Sequence, residues 1–143
     1  MKINYQSLEK KIDLKFKNKD LLVQALTHKS FNPNENNEKI EFLGDRVLGL
    51  VIAKKLLEIY PGEKEGILDK KFASLVNKKT CLDIAKKINL DSYVKTFNPN
   101  NKKIKIEDKI ISDSCEALIG AIYLDKGCLL YTSEAADDSL RVD

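Results

Sequence analysis

Apolar residues recur at intervals of three and four positions along most of the chain, which is the spacing of one face of an α-helix. Runs of β-branched residues are short, so the pattern favours helices over strands. We therefore predict an all-α fold. The predicted helices cover residues 5–16, 19–26, 38–60, 68–77, 80–88 and 108–124.

The longest predicted helix spans residues 38–60 and is apolar over most of its circumference. A helix of that kind usually has neighbours on several sides, so we expect a helical bundle around a long buried central helix. An Asn-rich segment with Pro33 precedes this helix, and Pro61 with Gly62 ends it. A second segment rich in Asn and Lys, residues 93–105, predicts an exposed loop.

Composition agrees with a single domain that does not enter a membrane. The chain has 143 residues, 43 % of them apolar, which is enough to bury one core. No apolar run approaches the roughly 18 residues that a membrane span requires, and the N-terminal stretch is too polar for a secretory signal. The three cysteines, Cys81, Cys115 and Cys128, form no metal-binding pair and are expected to be free thiols in a reducing compartment. The expected location is the cytoplasm.

The net charge of +3 is the sum of two segments of opposite charge. Residues 1–127 carry 24 basic and 18 acidic side chains, a net charge of +6, whereas residues 128–143 carry a net charge of −3. The last sixteen residues also contain no Lys, Ile or Asn, the three types that dominate the preceding chain. We expect residues 1–127 to form the functional domain and residues 128–143 to be a non-native tail.

Acidic residues on the longest helix lie where apolar residues are expected. At 100° per residue, Glu38, Glu41 and Asp45 fall within about 60° of one another, on the stripe that Leu48 and Ile52 continue. Desolvating an ionised carboxylate costs several kcal/mol, so acids on a buried stripe need partners.

The last predicted helix repeats this arrangement with Asp113 and Glu116. Gly49 lies one turn beyond Asp45, and Gly120 lies one turn beyond Glu116. Glycine weakens a helix interior, and a common reason to keep one is the close approach of another backbone. If the two helices pack at these glycines, the two acidic groups converge.

Two carboxylates from each helix, without His or Cys, suit a hard divalent cation such as Mg²⁺ or Mn²⁺, and such a site is equipped for phosphoryl chemistry. The alternative is that these residues are ordinary surface acids on helices that are less buried than the pattern suggests. No lysine is expected on either acidic stripe, so neutralisation by lysine is the less favoured interpretation.

Four segments of the chain resemble the ribonuclease III family. Residues 37–50 read NEKIEFLGDRVLGL, which is similar to the family signature ExxEFLGDxVL. Three further segments also match, namely ALTHKSF at residues 25–31, EGILDKKFASLVN at residues 65–77 and SDSCEALIGAIYLDKG at residues 112–127. One such motif is moderately specific, whereas four in the family's order and separations are a strong match.

The resemblance implies an all-helical endonuclease domain that works as a homodimer and cleaves double-stranded RNA with Mg²⁺ or Mn²⁺. Cleavage would leave 5′-phosphates and 3′-hydroxyls with short 3′ overhangs, in the processing of ribosomal and other RNA precursors. By the resemblance, Asp45 and Glu116 match the catalytic pair. The implied metal ligands are Glu41, Asp45, Asp113 and Glu116.

The resemblance also assigns roles outside this quartet. Glu38 and Glu65 match further acids of the catalytic valley, and Phe42 matches an aromatic that inserts into the other subunit, although packing alone would make Phe42 a core residue. His28, the only histidine, lies in the THKS segment and is not expected to act as a base. The candidate RNA-binding lysines include Lys70, Lys71, Lys78 and Lys79.

The chain departs from the family at Cys128. Bacterial members continue through one more helix and a linker into a double-stranded-RNA-binding domain. We expect this chain to be truncated before that domain, rather than to be a short single-domain member, and we expect its RNA affinity to be weak. Two alternatives remain open. An all-α, metal-dependent nucleotide pyrophosphohydrolase would leave the ALTHKSF segment unexplained, and a non-catalytic RNA-binding or dimerisation module would have no need for all four acids.

Overall fold

The computed structural model describes residues 2–99 and 105–135, with side chains through residue 127. Within these residues the fold is built from six α-helices and a short 3-10 turn, so the predicted all-α class is confirmed. The only β-pairing in this part of the chain is an isolated bridge between Thr27 and Lys95. The elements are α1 (Tyr5–Ile12), α2 (Lys19–Ala25), α3 (Glu38–Ile59), α4 (Glu65–Leu75), α5 (Lys78–Lys87), the 3-10 turn (Leu90–Tyr93) and α6 (Asp108–Ala135).

The first helix ends four residues earlier than predicted. Asp13 adopts the left-handed conformation with φ 55°, which stops α1 after Ile12. The buried carboxylate of Glu9 then accepts a hydrogen bond from the Phe16 backbone N–H at 2.7 Å and another from the Lys19 ammonium at 2.6 Å. Glu9 therefore stabilises the turn that connects α1 to α2.

Asparagine side chains cap the starts of three helices, and Asn4 at α1 accepts a hydrogen bond from the Ser7 backbone N–H at 3.3 Å. Asn18 and Asn77 each accept a hydrogen bond from the backbone N–H three residues further on, at 3.2 and 2.8 Å. The cap at Asn18 was predicted, and α2 begins where expected. Asn77 was instead expected to end a helix, but it caps α5, so that Lys78 is the first residue of α5.

The helix at the centre of the bundle is α6, not α3. Helices α2, α3 and α5 and the 3-10 turn all pack against α6, and most of residues 111–121 are buried. Small residues such as Ser114, Ala117 and Ala121 let neighbours approach α6 from several sides. The predicted bundle around a long buried helix is confirmed, with α6 in the position expected for residues 38–60.

The third helix exposes much of its apolar surface. Its buried residues are Ile40, Gly44 and Leu56. Phe42, Leu50 and Leu57 fall within about 80° of one another around the helix axis, and each is more than 60 % exposed. We refer to these last three residues as the α3 apolar face. The prediction that α3 is buried on several sides is therefore wrong for the single chain.

Helices α3 and α6 cross with their backbones in contact. A Cβ atom on Gly44 would lie 1.7 Å from the carbonyl oxygen of Glu116, and one on Gly120 would lie 2.3 Å from the carbonyl oxygen of Ile40. The expected glycine contact is confirmed for Gly120, but its partner on α3 is Gly44. Gly49, which was expected in this role, faces α4 instead.

The last helix continues to Ala135, eleven residues beyond its predicted end. Part of the segment interpreted as a tail is therefore helical, while residues 136–143 lie outside the described residues, as do residues 100–104 of the predicted loop. The non-native origin of the tail and the domain boundary at residue 127 stay predictions. None of the helices in the described ranges combines the length and apolar character needed to cross a membrane.

Candidate metal centre

Three carboxylates converge beside the crossing of α3 and α6. Glu41 comes from α3, Asp113 and Glu116 come from α6, and one oxygen of each lies within 4.8 Å of the other two. The Glu116 side chain is only 4 % exposed, and that of Asp113 is 13 % exposed. Because Gly44 contacts the Glu116 backbone, the two helices come close enough for their carboxylates to share one point.

The fourth predicted ligand, Asp45, lies at the edge of this cluster. Its carboxylate is a hydrogen-bond neighbour of Glu116 and helps to raise the pKa of that residue. It is not among the three residues that share the 4.8 Å limit, and its side chain is 52 % exposed. Glu38 is also exposed, with Lys29 at 3.5 Å, so burial on the α3 acidic stripe is less than predicted.

A lysine from a third helix lies among the three carboxylates. The ammonium of Lys78, at the start of α5, donates a hydrogen bond to Asp113 at 2.7 Å and a second one to Glu116, and it lies 3.7 Å from Glu41. Lys78 was not predicted as a partner of these carboxylates, because it belongs to neither of the two acidic helices. Its predicted contact with RNA stays a prediction.

A second lysine reaches the cluster from α6 itself. Lys109 lies one turn before Asp113 and donates a hydrogen bond to its second oxygen at 2.7 Å. The expectation that no lysine shares the acidic stripe is therefore wrong for α6. Unlike Lys78, Lys109 is 80 % exposed.

Burial and neighbouring charges move the pKa values of the cluster in different directions. Burial, assisted by the Asp45 carboxylate, raises the pKa of Glu116 in spite of the hydrogen bond from Lys78. Burial and the charge of Asp113 raise the pKa of Glu41. Burial also acts to raise the pKa of Asp113, but the hydrogen bonds from the two lysines outweigh it and hold that pKa below its usual value. Burial acts to lower the pKa of Lys78, but its hydrogen bonds to Asp113 and Glu116 outweigh burial and raise that pKa.

Asn37 fixes the start of α3 and was not identified as a site residue from the sequence. It is buried, its carbonyl accepts a hydrogen bond from the Glu41 N–H at 2.8 Å, and its amide nitrogen donates one to the Ala25 carbonyl at 3.1 Å. The same amide nitrogen lies 3.5 Å from the Ser114 hydroxyl on α6. The available signal was its place at the head of the NEKIEFLGD segment, but the Asn-rich composition of residues 30–37 assigned Asn37 itself to a loop.

The other predicted site residues are outside the three-carboxylate group. Glu65 is exposed at the start of α4. Phe42 is 62 % exposed with the Arg46 guanidinium 3.9 Å from its ring centroid, so it is not a core residue of the single chain. His28 accepts a hydrogen bond from the Ser30 N–H in the loop after α2. The remaining lysines are exposed or partly exposed: Lys70, Lys71 and Lys79.

The donor set fits a hard divalent cation. All three groups offer carboxylate oxygens, which Mg²⁺ and Mn²⁺ prefer, and neither His nor Cys takes part. The Lys78 ammonium is a natural stand-in, since its position demonstrates that the three carboxylates point to one place suited to a positive charge.

The fold and the site together define a class of protein: an all-helical bundle with a carboxylate cluster beside the point where two helices cross at glycines. The family model described as ribonuclease-III-like matches residues 18–135, most of the chain. The chain belongs to the ribonuclease-III-like family.

Curated relatives with the name ribonuclease 3 support this assignment. The protein from Pelagibacter ubique is 70 % identical over 127 residues, which cover 89 % of this chain and 57 % of the relative. The protein from Aliarcobacter butzleri is 45 % identical over 148 residues, which cover 98 % of this chain and 66 % of the relative. The chain thus spans a little over half to two thirds of the length of these relatives.

Solved structures agree with the family and the fold. The nuclease domain of ribonuclease III from Campylobacter jejuni superposes with a TM-score of 0.79 at 38 % identity, and the match covers both chains completely. A second structure of that domain, described for structural flexibility in the region involved in dimer formation, gives a TM-score of 0.80 at 40 % identity over 94 % of each chain. Dicer from Pichia stipitis gives 0.61 at 26 % identity, over 86 % of this chain and 52 % of that one.

Proposed function

We propose that this chain is the catalytic domain of a metal-dependent endoribonuclease that cleaves double-stranded RNA. The observation that carries the proposal is the convergence of Glu41, Asp113 and Glu116 at one point, in a chain of the ribonuclease-III-like family. A pyrophosphohydrolase and a non-catalytic module are less favoured, because the family match covers the whole α2–α6 region and the acids remain in place.

The proposed cofactor is Mg²⁺, with Mn²⁺ as a substitute, held by Glu41, Asp113 and Glu116 with Asp45 at the edge. When bound, such an ion supplies Lewis acidity and activates water for attack on a phosphodiester. Glu116 is suited to hold it because the side chain is buried and fixed on the central helix. Asp45 is half exposed beside Glu116, so it lies at the border between the cluster and solvent, where a phosphate would arrive.

The proposed active form is a homodimer. The α3 apolar face consists of Phe42, Leu50 and Leu57, and an exposed row of large apolar side chains is typical of a surface that contacts a partner. The Campylobacter jejuni nuclease domain is described as having a region involved in dimer formation, which supports a second copy of this chain as that partner. Phe42 lies on α3 next to Glu41, so the proposed interface adjoins the proposed metal centre.

The proposed substrate is duplex RNA, recognised by its A-form shape and its phosphates. Lys70, Lys71 and Lys79 offer positive charge for phosphate contacts, so binding should weaken as salt rises. The expected products carry 5′-phosphates and 3′-hydroxyls with short 3′ overhangs. Ribosomal and other RNA precursors in the cytoplasm are the expected substrates.

The test is to incubate the chain with a labelled RNA duplex with and without Mg²⁺. The same strand in single-stranded form and a nucleoside triphosphate serve as comparison substrates. Metal-dependent duplex cleavage that leaves 5′-phosphates would support the proposal. Hydrolysis of the triphosphate alone, or degradation of single strands alone, would contradict it.

A further inference from the structure

Lys78 makes hydrogen bonds and ion pairs with the same carboxylates that would hold a metal ion. Its ammonium donates hydrogen bonds to Asp113 and Glu116 and lies 3.7 Å from Glu41, so it contacts all three members of the cluster. Its backbone position is fixed, because Asn77 caps α5 through hydrogen bonds from the N–H and hydroxyl of Thr80 at 2.8 and 3.1 Å. The ammonium is therefore directed at the cluster from the first turn of α5.

A divalent ion and this ammonium compete for the same cluster of carboxylates. The three carboxylate oxygens lie within 4.8 Å of one another, and Mg²⁺ takes its oxygen ligands at about 2.0–2.1 Å. An ion at that distance from Asp113 and Glu116 would draw on the same carboxylate groups that now accept hydrogen bonds from Lys78. Two positive charges a few ångströms apart would also repel each other strongly in this partly buried place.

Lys109 differs from Lys78 in this respect. It binds only the second oxygen of Asp113 and is 80 % exposed, whereas the first oxygen of Asp113 accepts from Lys78. Lys109 can therefore keep its contact, or turn into solvent, when a metal ion arrives. Lys78 has to give up both of its hydrogen bonds.

We propose that Lys78 is an internal cation that sets the affinity of this centre for divalent metal. In the metal-free protein it offsets the repulsion among the three carboxylates, and metal enters only by displacing it. The inference rests on the proposed function, since it presumes that the carboxylates bind a divalent ion. It makes Lys78 a residue that determines metal affinity, in addition to any contact it makes with RNA.

The test measures binding of Mn²⁺ to the RNA-free protein, for example from the electron paramagnetic resonance signal of unbound Mn²⁺. Lys78→Met removes the charge and keeps an unbranched apolar side chain. Lys79→Met is the matched control, because Lys79 is the next residue in the same helical turn and is also exposed. We expect the Mn²⁺ dissociation constant to fall about tenfold in Lys78→Met, since charge-assisted hydrogen bonds that compete with the metal are lost, and to stay unchanged in Lys79→Met.

Thermal unfolding gives a second measurement without RNA or activity. Metal-free Lys78→Met should unfold at a lower temperature than the wild type, and Mn²⁺ should raise its Tm by more than it raises that of the wild type. If Lys78→Met does not fold, Lys78→Gln carries the same expectation for Mn²⁺, because its amide can still donate to a carboxylate without a charge. An unchanged or weaker Mn²⁺ affinity in the neutral variant would overturn the inference alone. Absence of Mn²⁺ binding in every variant, the wild type included, would overturn the proposed metal-dependent function as well.

Discussion

The backbone of Gly44 on α3 touches the backbone of Glu116 on α6, so that a methyl group on Gly44 would overlap the Glu116 carbonyl oxygen at 1.7 Å. This contact joins the helix that carries Glu41 to the residue with the most buried carboxylate of the cluster. The packing of the two helices and the geometry of the candidate metal centre therefore depend on the same pair of residues.

Gly44→Ala should destabilise the protein by about 3 kcal/mol, because the added Cβ meets backbone that cannot move without separating α3 from α6. Urea unfolding measures the change. Gly49→Ala is the control: its Cβ would meet the Phe72 ring at an ordinary 3.4 Å, and alanine gains about 1 kcal/mol of helix propensity over glycine. Equal stability of the two variants would contradict the assigned crossing.

Glu116→Gln should reduce duplex RNA cleavage by at least about a hundredfold, because the buried carboxylate loses its charge toward a bound metal ion. Asp45→Asn is expected to act in the same direction. Circular dichroism and duplex binding in Ca²⁺ should stay close to those of the wild type. Asp83→Asn, on the exposed side of α5, is the control and should cleave normally. Wild-type cleavage by Glu116→Gln would remove this residue from the proposed centre.

Glu9→Gln should lower the free energy of unfolding by about 2 kcal/mol at pH 7, because the hydrogen bonds from Phe16 and Lys19 lose their charged acceptor. Burial acts to raise the pKa of Glu9, but the hydrogen bonds from Lys19 and Phe16 outweigh it, so the pKa is lower in the folded protein than in the unfolded chain. Its contribution is complete above the unfolded pKa and is lost as the pH falls through the folded pKa.

Thermal unfolding across the acidic range checks this expectation. The difference in Tm between the wild type and Glu9→Gln should be constant near neutrality and shrink as the solution is acidified below about pH 4.5. Glu35→Gln, at an exposed position in the loop before α3, should not change Tm. A difference in Tm that grows on acidification would contradict this assignment, because the charged form of Glu9 is the one that the folded protein favours.

Phe42→Ala should weaken self-association about tenfold or more, because Phe42 is the aromatic residue of the proposed interface and aromatic anchors often carry much of the binding energy. Phe97→Ala is closely matched, since Phe97 is 63 % exposed and Phe42 is 62 % exposed, but it lies in the loop after the Thr27–Lys95 bridge. Sedimentation velocity over a concentration series separates the two variants. If only Phe97→Ala dissociates the dimer, the α3 apolar face is not the interface.

Local patterns in the sequence were sufficient to predict the helices. The spacing of apolar residues located all six, and Asn18 marked the start of α2 correctly. The end of α1 was missed because it depends on the left-handed conformation of Asp13, which the spacing of apolar residues does not indicate. Periodicity predicted an apolar α3 but could not reveal which apolar side chains face the rest of the chain and which face solvent.

The candidate site was harder to predict where it depends on contacts between distant segments. The acids of α3 and α6 were found because each group repeats at helical spacing within one element. Lys78 was missed as their partner because it comes from a third helix, and only the packing of α5 on α6 brings it to Asp113 and Glu116. The choice between Gly44 and Gly49 likewise depends on the rotation of α3 about its axis, which a helical wheel does not determine.

The three helices that meet at the cluster are far apart along the chain. Glu41 and Lys78 belong to the first 80 residues, whereas Glu116 lies on the last helix, and the carboxylates converge only when α6 has packed against α3 and α5. During synthesis, a ribosome-bound chain that lacks α6 therefore has no such cluster. If the proposed function is correct, the nascent enzyme cannot cut the duplexes of the ribosomal RNA around it before α6 has emerged and folded.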